Sequence, residues 1–283
     1  MLIDMHTHTD FSPDAKSSPE EMCARAAELG LEKYAVTDHC DCNYWLPAAE
    51  MFPGGIPEGF KDEEMLGVRE YAPASIRAIA ALKERYPFLL CGIELGQLLQ
   101  NAKAAEQILA MPELDFVIGS LHMNAGCADF YWLDYRKMDI TEIHRLLGAY
   151  FEEILEMCRQ GGFDVLGHLT YPLRYIVGDC GISLDMSRYF EVIREIFRTL
   201  AEGGIGIEIN TSGLRQRYGK MLPGVEYVKL YRKCGGEILT VGSDAHCAAD
   251  LAAGIPEGLE LARECGFKYT AYFERRRAEF IKI

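Results

Sequence analysis

Short apolar runs recur along the chain, each closed by turn residues and followed by a stretch in which apolar positions return at helical spacing. The runs fall at residues 1–5, 33–37, 88–93, 116–120, 164–167, 204–209 and 237–241. They show little polar alternation, which is the pattern of parallel strands covered on both faces. Amphipathic stretches fill the gaps at 74–86, 102–111, 141–160, 186–202, 227–233 and 252–265. A first helix is announced by Ser17-Ser18-Pro19-Glu20-Glu21, which combines a cap, an early proline and an acidic first turn. Seven strand–helix repeats predict an α/β fold, a distorted (β/α)7 TIM-like barrel. A doubly wound open sheet is the competing architecture.

Two segments break the rhythm. Residues 43–73 carry Trp45, several prolines and glycines and many acids, and are long for a strand-to-helix loop. They predict a lid or rim insertion. Residues 269–283 read as a hairpin or short edge element. The whole length, 283 residues, fits one barrel of this type as a single domain over 1–283.

Composition narrows the partners. The net charge is −14 and no basic stripe is visible, since Arg275-Arg276-Arg277 is too short to make one; binding to nucleic acid is not expected. No run approaches the ~18 apolar residues of a membrane span, so no membrane partner is expected either. The first residues, MLIDMHTH, lack the basic and apolar regions of a signal peptide. The ten cysteines form no CxxC pair, which fits reduced thiols and a cytoplasmic location.

The candidate chemistry sits where the strands end. Six of the seven histidines follow a proposed strand: His6 and His8 after the first, His39 after the second, His122 after the fourth, His168 after the fifth, and His246 after the seventh. Carboxylates accompany them: Asp10 and Asp14, Asp38, Glu94 in GIELG, and Asp244 in GSDAH. In a parallel barrel all strand C-termini open on one face, so these residues converge. Imidazole and carboxylate are the usual ligands of zinc, manganese and iron. His6 and His8 alternate on extended chain and project the same way. The set exceeds the demand of one tetrahedral ion and predicts two or three. Each piece alone has an ordinary reading: a His-x-His pair arises by chance, and Asp38-His39 could be a cap with a surface histidine. Glu94, in an apolar strand, is harder to set aside, because an unpaired buried carboxylate is costly.

The ordered set His6-Thr7-His8, Asp38-His39, Glu94, His122, His168 and Ser243-Asp244-Ala245-His246 resembles the polymerase-and-histidinol-phosphatase (PHP) superfamily. Within it the chain is most similar to the monofunctional histidinol-phosphate phosphatases, over nearly its whole length. The resemblance implies a trinuclear centre. His6, His8, Glu94 and Asp244 would hold one ion, Glu94 would bridge to a second held by His122 and His168, and Asp14, His39 and His246 would hold the third. Asp14 stands where many relatives carry histidine, and a harder oxygen ligand favours manganese or iron over zinc. The implied activity is hydrolysis of L-histidinol phosphate in histidine biosynthesis. Divalent ions would activate water and neutralise the phosphate oxygens, with Glu94, Asp244 and His246 as the catalytic group.

Arg174 and Arg215 match arginines expected in such phosphatases and are placed to bind the phosphate of a small phosphorylated substrate. Tyr44 and Trp45 are candidates for an aromatic wall, while Cys40, Cys42, Cys247 and His144 are expected to be structural. Two other functions remain open to the sequence: a phosphoesterase acting on another small ester or a nucleotide, and a non-catalytic module of the same fold.

Overall fold

The computed structural model describes residues 2–43, 46–52, 54–60 and 62–283. In chain order the elements are β1 (Ile3–Asp4), α1 (Pro19–Leu29), β2 (Lys33–Val36), β3 (His39–Asp41), α2 (Ala48–Met51), α3 (Asp62–Leu82), β4 (Leu89–Gly96), α4 (Ala102–Leu109), β5 (Phe116–Ser120), α5 (Ile140–Gln160), β6 (Val165–Leu166), α6 (Phe190–Gly203), β7 (Gly206–Asn210), α7 (Val225–Lys233), β8 (Leu239–Gly242), α8 (Ile255–Glu264), β9 (Tyr269–Glu274) and β10 (Arg277–Lys282).

Seven strands run parallel in the order β1-β2-β4-β5-β6-β7-β8, and β3 continues the second position by pairing with β4. The chain leaving β1 then meets the chain leaving β8. Met5 N–H donates to Val241 C=O at 3.0 Å, Asp244 N–H to His6 C=O at 2.7 Å and His8 N–H to Ala245 C=O at 2.9 Å. These bonds close the ring and exclude the open-sheet alternative. Asp4 braces the seam, its buried carboxylate accepting from the N–H groups of Ser243 (2.8 Å) and Ala252 (2.9 Å). The helices form the outer layer. α1 starts as its sequence predicts: the Ser18 hydroxyl accepts from Glu21 N–H, and the Glu21 carboxylate accepts in return from Ser18 N–H.

The hairpin expected at the C-terminus is the antiparallel pair β9–β10. It covers the N-terminal mouth of the barrel, where Ala271 and Phe273 pack with Ile3, Met5, Ala35, Leu90, Phe116, Ile118 and Val165. Phe273 stacks on Phe116 with ring centroids 5.0 Å apart.

The expected insertion is shorter than the sequence suggests, because the backbone of α3 already begins at Asp62 and runs through Pro73. Proline disfavours helix in the residue before it, so a break reads naturally at that point, yet the helix continues. Of the described residues ahead of α3, Ala48 and Phe52 pack with Ala128, and Phe60 lies edge-on to Trp132 at 5.3 Å. Tyr44 and Trp45 lie outside the described residues.

Candidate metal centre at the C-terminal mouth

A charged side chain inside a β-strand is tolerated only where it meets partners. The C-terminal mouth supplies them from every strand. His6, His8 and Glu94 have no exposed surface, and His122, His168 and Asp244 are also buried. His39 and His246 stand closer to solvent, and Asp14 sits at the rim with its side chain 60% exposed.

Glu94 is the hub. Its Oε1 lies 2.7 Å from His168 Nε2 and 3.0 Å from His122 Nε2. Its Oε2 lies 2.7 Å from His39 Nδ1, 3.5 Å from His6 Nε2 and 3.7 Å from His8 Nε2. Asp244 Oδ1 faces His8 Nε2 at 3.3 Å and His6 Nε2 at 3.8 Å. At the rim Asp14 Oδ2 lies 3.1 Å from His246 Nε2 and 3.6 Å from His39 Nε2. All nine expected ligands therefore meet in one cluster.

Four triads have donor atoms within 4.8 Å of one another: His6-His8-Asp244, His6-Glu94-His168, His39-Glu94-His122 and His8-His39-His246. The arrangement fits cations better than it fits hydrogen bonding. His6 Nε2 and His8 Nε2 point at each other across 3.1 Å, and His122 Nε2 and His168 Nε2 across 3.5 Å. His39 Nδ1 and Glu94 Oε2 are close but misaligned, and both lack a hydrogen-bond partner among the described residues. Lone pairs that converge without sharing protons are what a metal site requires.

The charges within the cluster are tightly coupled. Burial alone would raise the Glu94 carboxyl, but the imidazoles of His122, His39 and His6 hold it well below the usual carboxylate range. Asp244 behaves likewise: His6, His8, His246 and Arg174 overcome its burial. His8 is driven well below the ordinary imidazole value by burial and by crowding from His39 and His246, which leaves it neutral with its lone pair available.

Three further carboxylates hold this cluster in place: Asp38, which the sequence reading placed at a strand end, and Glu208 and Asp41, which it left aside. Glu208, in the middle of β7, accepts from His6 Nδ1–H at 2.6 Å with one oxygen. Its other oxygen accepts from the His168 backbone N–H at 2.9 Å. Gly242 makes the room, since a Cβ there would sit 2.5 Å from Glu208 Oε1 and 2.3 Å from His6 Cβ. Asp41 stands 3.2 Å from His122 Nδ1. Asp38 accepts from Thr9 N–H and the hydroxyls of Thr9, Ser12 and Ser75 at 2.6–2.8 Å, fixing the loop that carries His8. A partner on the far nitrogen sets the tautomer and the ring orientation of a metal-binding histidine. The signal was present in Glu208, a lone charge in the apolar run GIEIN, by the same reasoning that singled out Glu94.

The cluster floors a cavity of about 550 Å³ walled by Asp129, Tyr131, Trp132, Tyr171, Arg174 and Tyr175. Arg174 is buried over the Tyr171 ring at 4.8 Å. One of its terminal nitrogens reaches Ser212 Oγ at 3.2 Å and Asp244 Oδ2 at 3.4 Å, while its Nε has no partner among the described residues. Arg215 is placed differently. Its guanidinium donates to the carbonyls of Ser243 (2.9 Å) and, at longer range, Asp244 and Ala253 (each 3.4 Å), behind the loop that carries Asp244. It does not line the cavity as described. Asp244 itself has a left-handed backbone, φ 55°, unusual for a non-glycine residue. His144 lies within α5 and bonds the Tyr189 hydroxyl at 2.6 Å, away from the mouth, and no disulfide joins the cysteines.

The chain is 27% identical to a "Probable histidinol-phosphatase" of Clostridium acetobutylicum, over 99% of this chain and 100% of that one. It is 26% identical to a histidinol-phosphatase of Lactococcus lactis, over 96% and 94%. Among solved structures, the histidinol phosphate phosphatase of Lactococcus lactis, complexed with zinc, L-histidinol and phosphate, superimposes with a TM-score of 0.74 at 23% identity, covering 98% of each chain. That likeness establishes the fold. The PHP domain profile matches residues 4–212. The chain belongs to the PHP domain family.

Proposed function

We propose that this protein is a metal-dependent phosphomonoesterase that hydrolyses L-histidinol phosphate to L-histidinol and phosphate. The observation that carries the reading is the Glu94-centred cluster of imidazoles and carboxylates at the floor of a cavity that Arg174 also lines. Full-length similarity to histidinol-phosphatases supports the substrate.

As the resemblance implies, His6, His8, Glu94 and Asp244 would hold one ion, Glu94, His122 and His168 a second, and Asp14, His39 and His246 a third; the clustering of these side chains supports that reading. The third set is the one nearest solvent, so an ion held there would exchange most readily. Two or three divalent cations, zinc, manganese or iron, would supply a water acidified to near neutral pH and positive charge against the phosphate oxygens.

The protein's own groups do the rest. Arg174, unable to lose its proton at any working pH, offers its unpartnered Nε–H and a terminal N–H to the phosphate. Ser212 and Asn210 hold Asp244 Oδ2 at 3.1 and 3.2 Å, so the carboxylate keeps its other oxygen turned to His8. His246 donates Nδ1–H to the Asp244 carbonyl at 3.0 Å, which leaves its Nε2 turned to Asp14 and free to act as a ligand in the third set. Gly59, between β3 and α3, lines the cavity, so this segment would serve as a lid that helps exclude water once substrate is bound.

The test is phosphate release by the purified protein supplied with zinc, manganese or iron. Turnover of L-histidinol phosphate at about 1 per second or faster, with slower hydrolysis of other monoesters, is the expected result. No release from a metal-loaded protein would reject this substrate.

A further inference from the structure

The cavity is not uniform in charge. Its floor gathers the metal-binding set and Arg174, groups that meet a phosphate. Its wall also carries a carboxylate with a different environment. Asp129 Oδ1 accepts from the Tyr131 N–H at 2.7 Å and from the Tyr171 hydroxyl at 3.0 Å. Burial pushes its carboxyl up to about 6, against the pull of His122 and of those two donors. Among the described residues no lysine, arginine or histidine forms a salt bridge with it, although it lines the cavity. A carboxylate half-withdrawn from water, feeling His122 but ion-paired with no side chain among the described residues, is costly unless a ligand brings a cation into contact with it.

Tyr171 ties the two ends together. Its ring lies under the Arg174 guanidinium, and its hydroxyl donates to Asp129 while accepting from Tyr175 OH at 3.0 Å. A monoester with its phosphate on Arg174 therefore has Asp129 within the span of one tyrosine side chain. Beside Asp129, Tyr131 and Trp132 meet edge to face at 4.7 Å and present aromatic surface to the same cavity.

We infer that Asp129 is the specificity-determining residue of the site: it pairs with a protonated amine on the substrate, so the enzyme selects phosphomonoesters of small amino alcohols. The inference rests on the phosphomonoesterase reading above and adds to it the reason an amine-bearing ester is preferred. Tyr171 acts as a positioning residue, its hydroxyl holding Asp129 Oδ1 at 3.0 Å. The flat neighbours Tyr131 and Trp132 would take an aromatic or imidazole ring carried by the same substrate.

The test compares each ester with its neutral counterpart in the wild type and in Asp129→Asn. The pairs are L-histidinol phosphate against its des-amino analogue, and phosphoethanolamine against ethyl phosphate. The wild type is expected to favour the amine of each pair by about 10- to 100-fold in kcat/KM, the value of one charge-assisted contact. Asp129→Asn should erase that preference and leave the neutral esters within about twofold. Binding of L-histidinol to the wild type, measured by calorimetry against des-amino histidinol, gives the same comparison without any variant and should show at least a tenfold difference. No preference for the amine in the wild type, or equal loss on charged and neutral esters in Asp129→Asn, would overturn the inference. Poor hydrolysis of L-histidinol phosphate alongside a clear, Asp129-dependent preference for phosphoethanolamine would reject the histidinol substrate and leave the amine site standing.

Discussion

The same seven strands end in two opposite ways. At the N-terminal mouth Ile3, Leu90, Phe116 and Val165 close an apolar plug with Ala271 and Phe273 of the hairpin. At the C-terminal mouth the continuations of the same strands deliver His6, Glu94, His122 and His168. One end buries hydrocarbon and stabilises the fold. The other buries charge and gains little stability from it, because desolvation cancels much of the attraction. The difference teaches that this barrel divides its two ends along its axis: the plug adds hydrocarbon burial, the cluster carries the chemistry, and each mouth should be alterable without ruining the other.

The sharpest way to break the separation is Glu94→Gln. If Glu94 is the shared ligand, the variant should lose metal and lower kcat by on the order of 10³-fold or more, as removal of a main electrostatic contributor does, while still folding. Metal analysis and phosphate release on one preparation check it; full activity would remove Glu94 from the centre. The complementary change is Phe273→Ala, which should cost about 3–5 kcal/mol of stability by the usual range for buried Phe. Denaturant titration reads that loss, and metal content should stay at the wild-type level. A drop in metal content without loss of stability would mean the two ends are coupled.

Smaller changes sharpen the upper mouth. Glu208→Gln should weaken zinc affinity by about 10- to 100-fold in competition with a chelator, the usual effect of losing a carboxylate behind a metal-binding histidine, with circular dichroism unchanged. Unaltered affinity would make Glu208 a structural residue only. Arg215→Ala should have the mildest effect, lowering kcat by about tenfold (~1.4 kcal/mol), about one charged hydrogen bond, through a loosened Asp244 loop. A raised KM with kcat preserved would instead put the guanidinium on the phosphate.

Much of this arrangement is legible in the chain. Histidines after apolar runs mark the functional mouth because parallel strands must open on one face, and Asp14, Glu94 and Asp244 are found by proximity to those run ends. The carboxylates behind the ligands are harder to read. Glu208 sits in mid-strand rather than at a strand end, and Asp41, between Cys40 and Cys42, reaches His122 only because β3 pairs with β4 across a large sequence gap. Such partners are set by register, which local pattern does not carry. Arg215 shows the reverse case: its position after β7 marks it as near the site, but nothing local shows that its guanidinium turns to the carbonyls of the neighbouring loop. The extra length of α3 is hidden by Pro73, and the brevity of β1 and β6 by apolar residues that continue beyond their ladders.

The most direct test is to strip the purified protein of metal with a chelator, reload it with zinc, manganese or iron, and measure bound ions and phosphate release from L-histidinol phosphate on the same samples. A multi-ion centre at the C-terminal mouth predicts that activity vanishes on stripping and returns only as two or three ions bind per chain. Full hydrolysis by the stripped protein, or full activity with a single ion bound, would contradict it.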